Sequence, residues 1–408
     1  MNLAQWLEQI ERLHPVEIDL GLSRVAAVWQ ALDLDLPGYV ITVAGTNGKG
    51  STVAALEAAA ISAGYSTGAY TSPHIIQYNE RIRLNGDMAS DDQICSAFNK
   101  IEVARGDISL SYFEFGTLAA LVLFAELKVD VVLLEVGLGG RMDAVNIIDC
   151  DLAIVTSIAL DHFEWLGSDL EFIASEKSAI SRSGNPLVIG EVPELEFWRT
   201  LSQREGPTYF YGKDFYLNDK VWHSAAQQYD VSNVSIPLNS VAIALKVLEI
   251  CPLWHDRVDC RPAVLSTQVA GRMQEVSWSG RQVLFDVAHN PASIELLCEM
   301  LLQKQQRFEV VFAAMADKDL DDMLPRLLAF ADSLILPQLQ VGRAKKADQL
   351  AAMVPADVEC HRFDSMPLAI QFLASQKSQK PILVAGSFFT VSEAMQAMGF
   401  TTINRLKE

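Results

Sequence analysis

Short apolar runs rich in β-branched residues alternate with longer stretches of helical period through the first half of the chain. The runs fall at 39–44, 66–70, 130–136, 152–157 and 186–190, and the helical stretches near 50–64, 91–104, 113–128 and 169–182. This alternation predicts a mainly parallel sheet covered by helices, with ligands gathering at the carboxyl ends of the strands. From about 207 to 235 the pattern turns polar and aromatic, which predicts a small antiparallel excursion, and a helix follows at about 238–250. A second alternating series starts after Arg272, with runs at 283–287, 310–313, 333–336 and 382–385 and helical segments near 291–304, 320–330, 346–354, 365–376 and 390–398. The stretch 259–268 reads as a linker, so the expected domains are 1–268 and a smaller one at 269–408. The fold class is α/β in both.

Composition narrows the function classes. A chain of 408 residues, 50% hydrophobic and 20% charged, is long enough for two or three globular domains. Its formal charge of −19 argues against a nucleic-acid surface. No apolar stretch approaches the roughly 18 residues a membrane span needs, and Met1–Glu8 has no basic segment ahead of an apolar core, so a cytoplasmic protein is expected. Cys95, Cys150, Cys251, Cys260, Cys298 and Cys360 are scattered, without zinc or disulfide spacing, and read as reduced thiols.

The chemistry begins at Gly45-Thr46-Asn47-Gly48-Lys49-Gly50-Ser51-Thr52, which joins the run at 39–44 to an Ala-rich helical stretch. Strand, glycine loop and helix in that order make a phosphate grip. The glycines let N–H groups close around phosphate oxygens, Lys49 adds a cation, Ser51 offers a hydroxyl to Mg2+, and the helix start adds partial positive charge. The spelling departs from the common Walker pattern, with two residues rather than four between Gly45 and the Gly48-Lys49 pair.

Other candidates stand at strand ends. Ser72, in Thr71-Ser72-Pro73-His74, is placed to reach a metal or phosphate. Arg81 and Arg83 share one face if their segment is extended, which suits an anion, although alone that segment reads first as a solvated strand. Glu135 ends an apolar run beside a glycine loop. A buried carboxylate needs a partner, and Mg2+ is the natural one beside a phosphate loop, with a structural salt bridge as the alternative. Arg141, Asp143 and Asn146 continue that loop with polar side chains available for substrate, and Asp161-His162 makes His162 a candidate metal ligand. Lys177, read alone, is a solvent-facing helix lysine; a carbamate forms only on an unprotonated buried amine, which composition does not reveal. Asp286 and His289 lie where a strand gives way to a helix opened by Pro291, and Arg272 offers a cation near the linker.

Together these segments resemble the folylpolyglutamate synthases, in particular the bacterial bifunctional form that is also a dihydrofolate synthase, within the wider Mur ligase family. The resemblance runs through Gly45–Thr52, Thr71–Gly86, Glu135–Asn146, Asp161-His162, Glu176-Lys177, Leu238-Asn239, Gly271-Arg272, Asp286–Pro291, Asp317-Lys318-Asp319 and Gly386-Ser387-Phe388. It implies an ATP-binding central domain of the P-loop ATPase type and a Rossmann-like C-terminal domain that closes over it. ATP would be held by Gly45 to Thr52 together with Asn239, Arg272, Asp286 and His289. Two Mg2+ sites would draw on Ser51, Ser72, Glu135, His162 and a carbamylated Lys177, with Lys49, His162 and Lys177 as the catalytic residues. Asp19, Gly21, Leu22 and Arg24 resemble the pterin-side loop, and Ser72, Pro73, His74, Arg81, Arg83, Arg141, Asp143 and Asn146 would complete the substrate site. The chain departs from the family pattern at Val145, Ala270, Val287 and Phe389.

The activity implied is ATP-dependent addition of L-glutamate to dihydropteroate and to reduced folates by a monomer. Two alternatives remain. A cell-wall Mur-type ligase is disfavoured because only about 38 residues precede the loop's strand, where that class carries an extra nucleotide-sugar domain. A non-catalytic phosphate-loop switch is disfavoured by Glu135, His162 and Lys177 together.

Overall fold

The computed structural model describes residues 1–16 and 19–401. The chain forms two compact units, one made of 1–73 and 78–267, the other of 74–77 and 268 onward. The sequence pointed to one boundary near 268. The brief visit at 74–77 has no sequence signature because four residues carry no period, but Ile75 is buried in an apolar cluster with Val283, Phe285 and Val391 of the second unit.

The first unit opens with two helices that the strand–helix alternation did not foreshadow, α1 (Leu3–Leu13) and α2 (Ser23–Leu32). Asn2 and Gln5 cap α1 reciprocally, and Trp6 and Ile10, one turn apart, bury its apolar stripe. There follow β1 (Tyr39–Ala44), α3 (Lys49–Ser62), β2 (Thr67–Tyr70), β3 (Ile82–Leu84), β4 (Asp87–Met88), α4 (Asp91–Arg105), α5 (Tyr112–Leu127), β5 (Val131–Glu135), β6 (Leu152–Ser157), α6 (Phe163–Leu166), α7 (Leu170–Ser178), β7 (Leu187–Glu191), α8 (Glu196–Leu201) and β8 (Thr208–Phe210). They build an eight-stranded sheet in the order β4-β3-β2-β5-β1-β6-β7-β8, parallel except for the β3–β4 hairpin at one edge. The expected antiparallel excursion is the small sheet of β9 (Phe215–Asn218), β10 (Val221–Ser224) and β11 (Gln228–Asp230), but β8 belongs instead to the large sheet, paired with β7. Helices α9 (Leu238–Ile250) and α10 (Arg261–Leu265) close the unit.

Both faces of the middle strands are covered, which is why they read as continuous apolar runs. Val40, Val132, Leu134 and Val155 face a core shared with Phe98 of α4 and Phe115 of α5. Ile41, Val43, Leu133 and Ile154 are fully buried on the other side, where α3 and α9 pack against the sheet and each other. Because β1 lies between β5 and β6, three carboxyl ends stand side by side: Val43 is in register with Glu135, and Ala44 with Val155.

The second unit is a six-stranded sheet in the order β12-β13-β17-β14-β15-β16, with β12 (Gln274–Trp278), β13 (Arg281–Phe285), β14 (Phe308–Phe312), β15 (Ala331–Pro337), β16 (Cys360–Phe363) and β17 (Ile382–Ala385). Only β12 runs antiparallel. Alternate residues feed two cores: Leu284, Val310, Leu334 and Leu383 pack with α11 (Pro291–Lys304), α12 (Leu320–Leu328) and α13 (Ala347–Ala351), while Val283, Val311, Ile335 and Val384 pack with α14 (Met366–Ser375) and α15 (Phe388–Ala397). The edge strands β12 and β16 had no apolar run because each is only half-buried. Among the described residues no helix is long and apolar enough to cross a membrane, and all six cysteines are free thiols.

Candidate active site

β1 ends at Ala44, and the backbone then takes a path open only to glycine. Gly45 has a φ of 146°, and a Cβ there would lie 1.9 Å from Thr156 Oγ1; Gly48, at a φ of 84°, turns the chain into α3. Among the described residues no side chain caps α3, which leaves its first-turn N–H groups without a side-chain acceptor there.

The loop is tied to the neighbouring strand end. Thr46 N donates to Ser157 O at 2.9 Å, Asn47 N to Ser157 Oγ at 2.9 Å, and Thr156 Oγ1 to Asn47 O at 2.6 Å. Thr46 Oγ1 donates to Ala159 O at 3.1 Å and accepts from Ala159 N at 3.0 Å. From α9, Ser240 Oγ donates to Gly48 O at 3.2 Å, and Asn239 Nδ2 donates to Thr156 O at 3.1 Å, leaving Asn239 Oδ1 buried with no hydrogen-bond partner. Thr156, Ser157 and Ser240 carry no motif of their own, so sequence reasoning passed over them.

Two amines meet at one carbonyl. Lys49 Nζ donates to Gly45 O at 3.0 Å and to Thr46 O at 3.2 Å, and Lys177 Nζ donates to the same Gly45 O at 3.1 Å. The solvent-facing reading of Lys177 is overturned. The inward face of α7 carries Ile173, Ala174, Lys177 and Ser178, so its spacing buries the lysine with the apolar residues. Burial first, and the Lys49 charge second, push the Lys177 pKa down to about 7, against the opposing pull of Asp161 and Asp143.

Ser51 and Glu135 bring buried oxygens to the first turn of α3. Ser51 Oγ is buried without a partner among the described residues. Glu135 is buried at the end of β5, its Oε2 accepting from Ser72 N at 3.1 Å, and a Cβ on Gly50 would stand 3.4 Å from that oxygen. Among the described residues no three His, Cys, Asp or Glu converge. An orphaned hydroxyl and one carboxylate nonetheless fit a hard cation that takes its other ligands from phosphate and water, as Mg2+ does. His162 is 48% exposed, with a φ of 54°; its N–H donates to Asp161 Oδ1 at 2.9 Å, and its Nε2 lies 4.0 Å from Asp161 Oδ2. Asp161, buried and acting on Lys177, was not singled out as a site residue, although an acid directly before the histidine was its signal.

Several expected substrate residues are engaged elsewhere. Arg141, Asp143 and Asn146 are engaged within the unit: Asp143 and Asn146 bond backbone of the loop after β5, and the half-exposed Arg141 pairs with Glu176 of α7. Arg141 Nε donates to Glu176 Oε1 at 2.7 Å, and Asn146 Nδ2 donates to Arg141 O at 2.9 Å while its Oδ1 accepts from Arg182 at 3.1 Å. Asp143 accepts from the N–H groups of Gly137, Leu138 and Val145 at 3.0, 2.9 and 3.1 Å, and burial lifts its pKa to about 6. Arg81 and Arg83 do not share a face, because Tyr78–Arg81 is a 3-10 turn rather than extended chain. Arg81 lies 5.4 Å from the Tyr112 ring, whereas Arg83 donates to Glu57 Oε2 at 2.7 Å and to Thr71 Oγ1 at 3.1 Å. Pro73 is exposed and His74 half-buried.

At the N-terminal segment Arg24 donates to Asp19 Oδ2 at 2.6 Å and to Glu114 Oε1 on α5 at 3.0 Å, while His14 Nε2 lies 3.1 Å from the same Asp19 oxygen. Asp19 and Arg24 therefore pair with each other, and Gly21 and Leu22 form the half-buried turn into α2. In the second unit, Asp286 accepts from Met273 N and Ala288 N at 2.9 Å each, and its pKa is raised by burial against the opposing Arg272 charge. His289 Nδ1 lies 2.9 Å from Val287 O, and the Arg272 guanidinium sits 5.5 Å from the Phe388 ring. Val287 is buried beside Gly271, where a Cβ on that glycine would come within 3.0 Å of its side chain.

Residues 271–388 match the family described as Mur ligase, glutamate ligase domain. The chain is 41% identical to the dihydrofolate synthase/folylpolyglutamate synthase of Escherichia coli, over 97% of this chain and 95% of that protein. It is 34% identical to the protein of the same name from Haemophilus influenzae, over 96% of each. Among solved structures, E. coli FolC in complex with DHPP and ADP superposes with a TM-score of 0.90 at 38% identity, covering 98% of both chains. The bifunctional folylpolyglutamate synthase/dihydrofolate synthase with Mn, AMPPNP and L-glutamate bound gives a TM-score of 0.88 at 38% identity and the same coverage.

Proposed function

The chain belongs to the dihydrofolate synthase/folylpolyglutamate synthase family, and on that footing we propose that it joins L-glutamate to dihydropteroate and to reduced folates through an acyl phosphate. It is an ATP-dependent ligase. A carboxylate resists attack by an amine because it is anionic and has no good leaving group. Transfer of the γ-phosphoryl group of ATP to one carboxylate oxygen removes both obstacles; the glutamate amine then forms the C–N bond as phosphate leaves. Lys49 and the N–H groups at the start of α3 steady the phosphate oxygens. Ser51 and Glu135 hold a divalent cation, with Ser72, His162 and a carbamylated Lys177 completing two sites. When bound, the metal neutralises charge on the phosphoryl group in transit. Asn239, Arg272, Asp286 and His289 are assigned to the nucleotide. The segment Asp19 to Arg24, with Arg81, is assigned to the folate side, and the protein is taken to act as a monomer.

Lys177 carries the reading. A neutral amine can add CO2, forming an N–C bond and releasing a proton, to give an anion where a cation stood; a pKa near 7 makes that form available at neutral pH. A loop that only bound nucleotide would have no use for it. Relatives solved with DHPP and ADP, and with Mn, AMPPNP and L-glutamate, support the substrate assignment. The test incubates purified protein with ATP, Mg2+, glutamate and one acceptor: dihydropteroate, tetrahydrofolate or a muramoyl nucleotide. ADP release is expected with the first two. Release that ignores every acceptor would overturn the ligase reading, and release only with the third would move it to cell-wall chemistry.

A further inference from the structure

Four polar groups of Thr46 and Asn47 anchor the loop to Thr156, Ser157 and Ala159. Thr46 N–H is committed to Ser157 O, and Asn47 N–H to Ser157 Oγ. The Thr46 hydroxyl spends its one proton on Ala159 O and accepts from Ala159 N, and Asn47 O accepts from Thr156 Oγ1. This leaves the glycines and the start of α3, Gly48 to Ser51, to face phosphate in the ligase reading. We propose that Thr46 is a positioning residue: its hydroxyl fixes the distance between the phosphate grip and the segment Ala159–His162, so that His162 is presented at a set place relative to Ser51 and Glu135. The inference rests on the ligase reading, in which His162 serves a metal.

The geometry favours this role over nucleotide contact. Ala159 stands three residues before His162, beyond the end of β6, in chain that belongs to no helix or strand until α6 begins at Phe163. His162 itself holds a left-handed φ of 54°, a conformation that ordinary side chains keep only when their surroundings hold it. A reciprocal pair of bonds to one hydroxyl holds the two peptide groups that flank the Ala159 Cα, and so fixes both the distance and the orientation of that residue, which a single bond does not. The unusual spelling of the loop then has a cause. Two residues between Gly45 and Gly48 act as an anchor to the next strand, in place of the longer stretch that wraps phosphate in the common pattern.

The experiment compares wild type, Thr46→Val and Thr46→Ser. Valine keeps the shape and loses both bonds, whereas serine keeps the hydroxyl. Hydrogen exchange of a peptide spanning 158–166 is measured without substrate, and turnover with dihydropteroate, glutamate and ATP is measured against Mn2+ concentration. Loss of two hydrogen bonds predicts that Thr46→Val exchanges roughly tenfold faster in that peptide and needs about tenfold more Mn2+ for half-maximal turnover, with the KM for ATP within about twofold. Thr46→Ser restores both values. A raised KM for ATP with exchange and metal dependence unchanged would show a direct nucleotide contact and overturn the proposal, as would no change in any of them. Should Thr46→Val not fold, Thr46→Ala reads the same exchange. Because exchange needs no turnover, failure of the ligase reading would appear separately, as inactive wild type.

Discussion

Replacing Lys177 with methionine is expected to make the protein inert and more stable at once. Methionine retains the apolar stem and discards the amine, so the packing of α7 survives. In the folded protein the amine titrates at about 7 against an ordinary value of 10.5. That difference of roughly 3.5 units, at about 1.4 kcal/mol each, caps the cost of the buried lysine near 5 kcal/mol. The bond to Gly45 O returns about 1 kcal/mol of it, so removal gains a few kcal/mol, or several degrees of Tm. The sign follows from proton counts. Between pH 7 and 10.5 the unfolded chain holds a proton that the folded one has released, so wild-type stability rises with pH through that window. The advantage of Lys177→Met is therefore full below pH 7 and fades toward pH 10.5. Thermal melts at pH 6.5 and 9.5, in CO2-free buffer so that no carbamate forms, measure it. No gain at pH 6.5, or a gain independent of pH, would refute the account of Lys177 as a buried neutral amine.

Other perturbations test the loop and the oxygen ligands. Gly45→Ala sets a Cβ against Thr156 Oγ1 at a φ of 146° and is expected to raise the KM for ATP at least about tenfold; an unchanged KM would mean the loop can reorganise. Ser51→Ala removes a buried hydroxyl that has no partner, so the Tm should hold or rise by the equivalent of about 1 kcal/mol while turnover falls roughly a hundredfold. A matching loss of stability would mark the hydroxyl as structural. Chelation with EDTA should stop turnover and leave the melting curve in place, since the strands and helices around Glu135 are held by the apolar core of Val132, Leu134, Phe98 and Phe115.

Much of the architecture was written in the period of the apolar residues. The parallel strands of both units are buried on two faces, and no other pattern produces such runs so regularly separated by helices. What escaped was whatever lacked a period or depended on partners far away in sequence. The helices α1 and α2 lie outside the alternation, and β12 and β16 are half-exposed edges. At the candidate site, the positions of the glycine loop and of Glu135 were legible because each stands at the end of an apolar run. Arg141, Asp143 and Asn146 read as open to a ligand for a physical reason: a polar residue engaged within its own unit and one that meets a ligand have the same composition, and only the hydrogen bonds tell them apart. Lys177 was the reverse case. Its spacing from Ile173 and Ala174 puts it on their face of α7, but the burial that lowers its pKa is completed by neighbours that the local sequence does not name.

Ile75 gives the second unit a history in translation. It is made long before Gln268, yet it packs with Val283, Phe285 and Val391 and lies where a Cβ on Gly271 would come within 2.7 Å of it. The ribosome therefore delivers one piece of that core early, and the piece must wait for residues still to be synthesised. A fragment begun at Gln268 would lack its plug and expose apolar wall. A single cut between Thr267 and Gln268 would leave the two units joined by the chain that runs out at Pro73 and back at Tyr78. The units are compact separately, but they are not separable as genes.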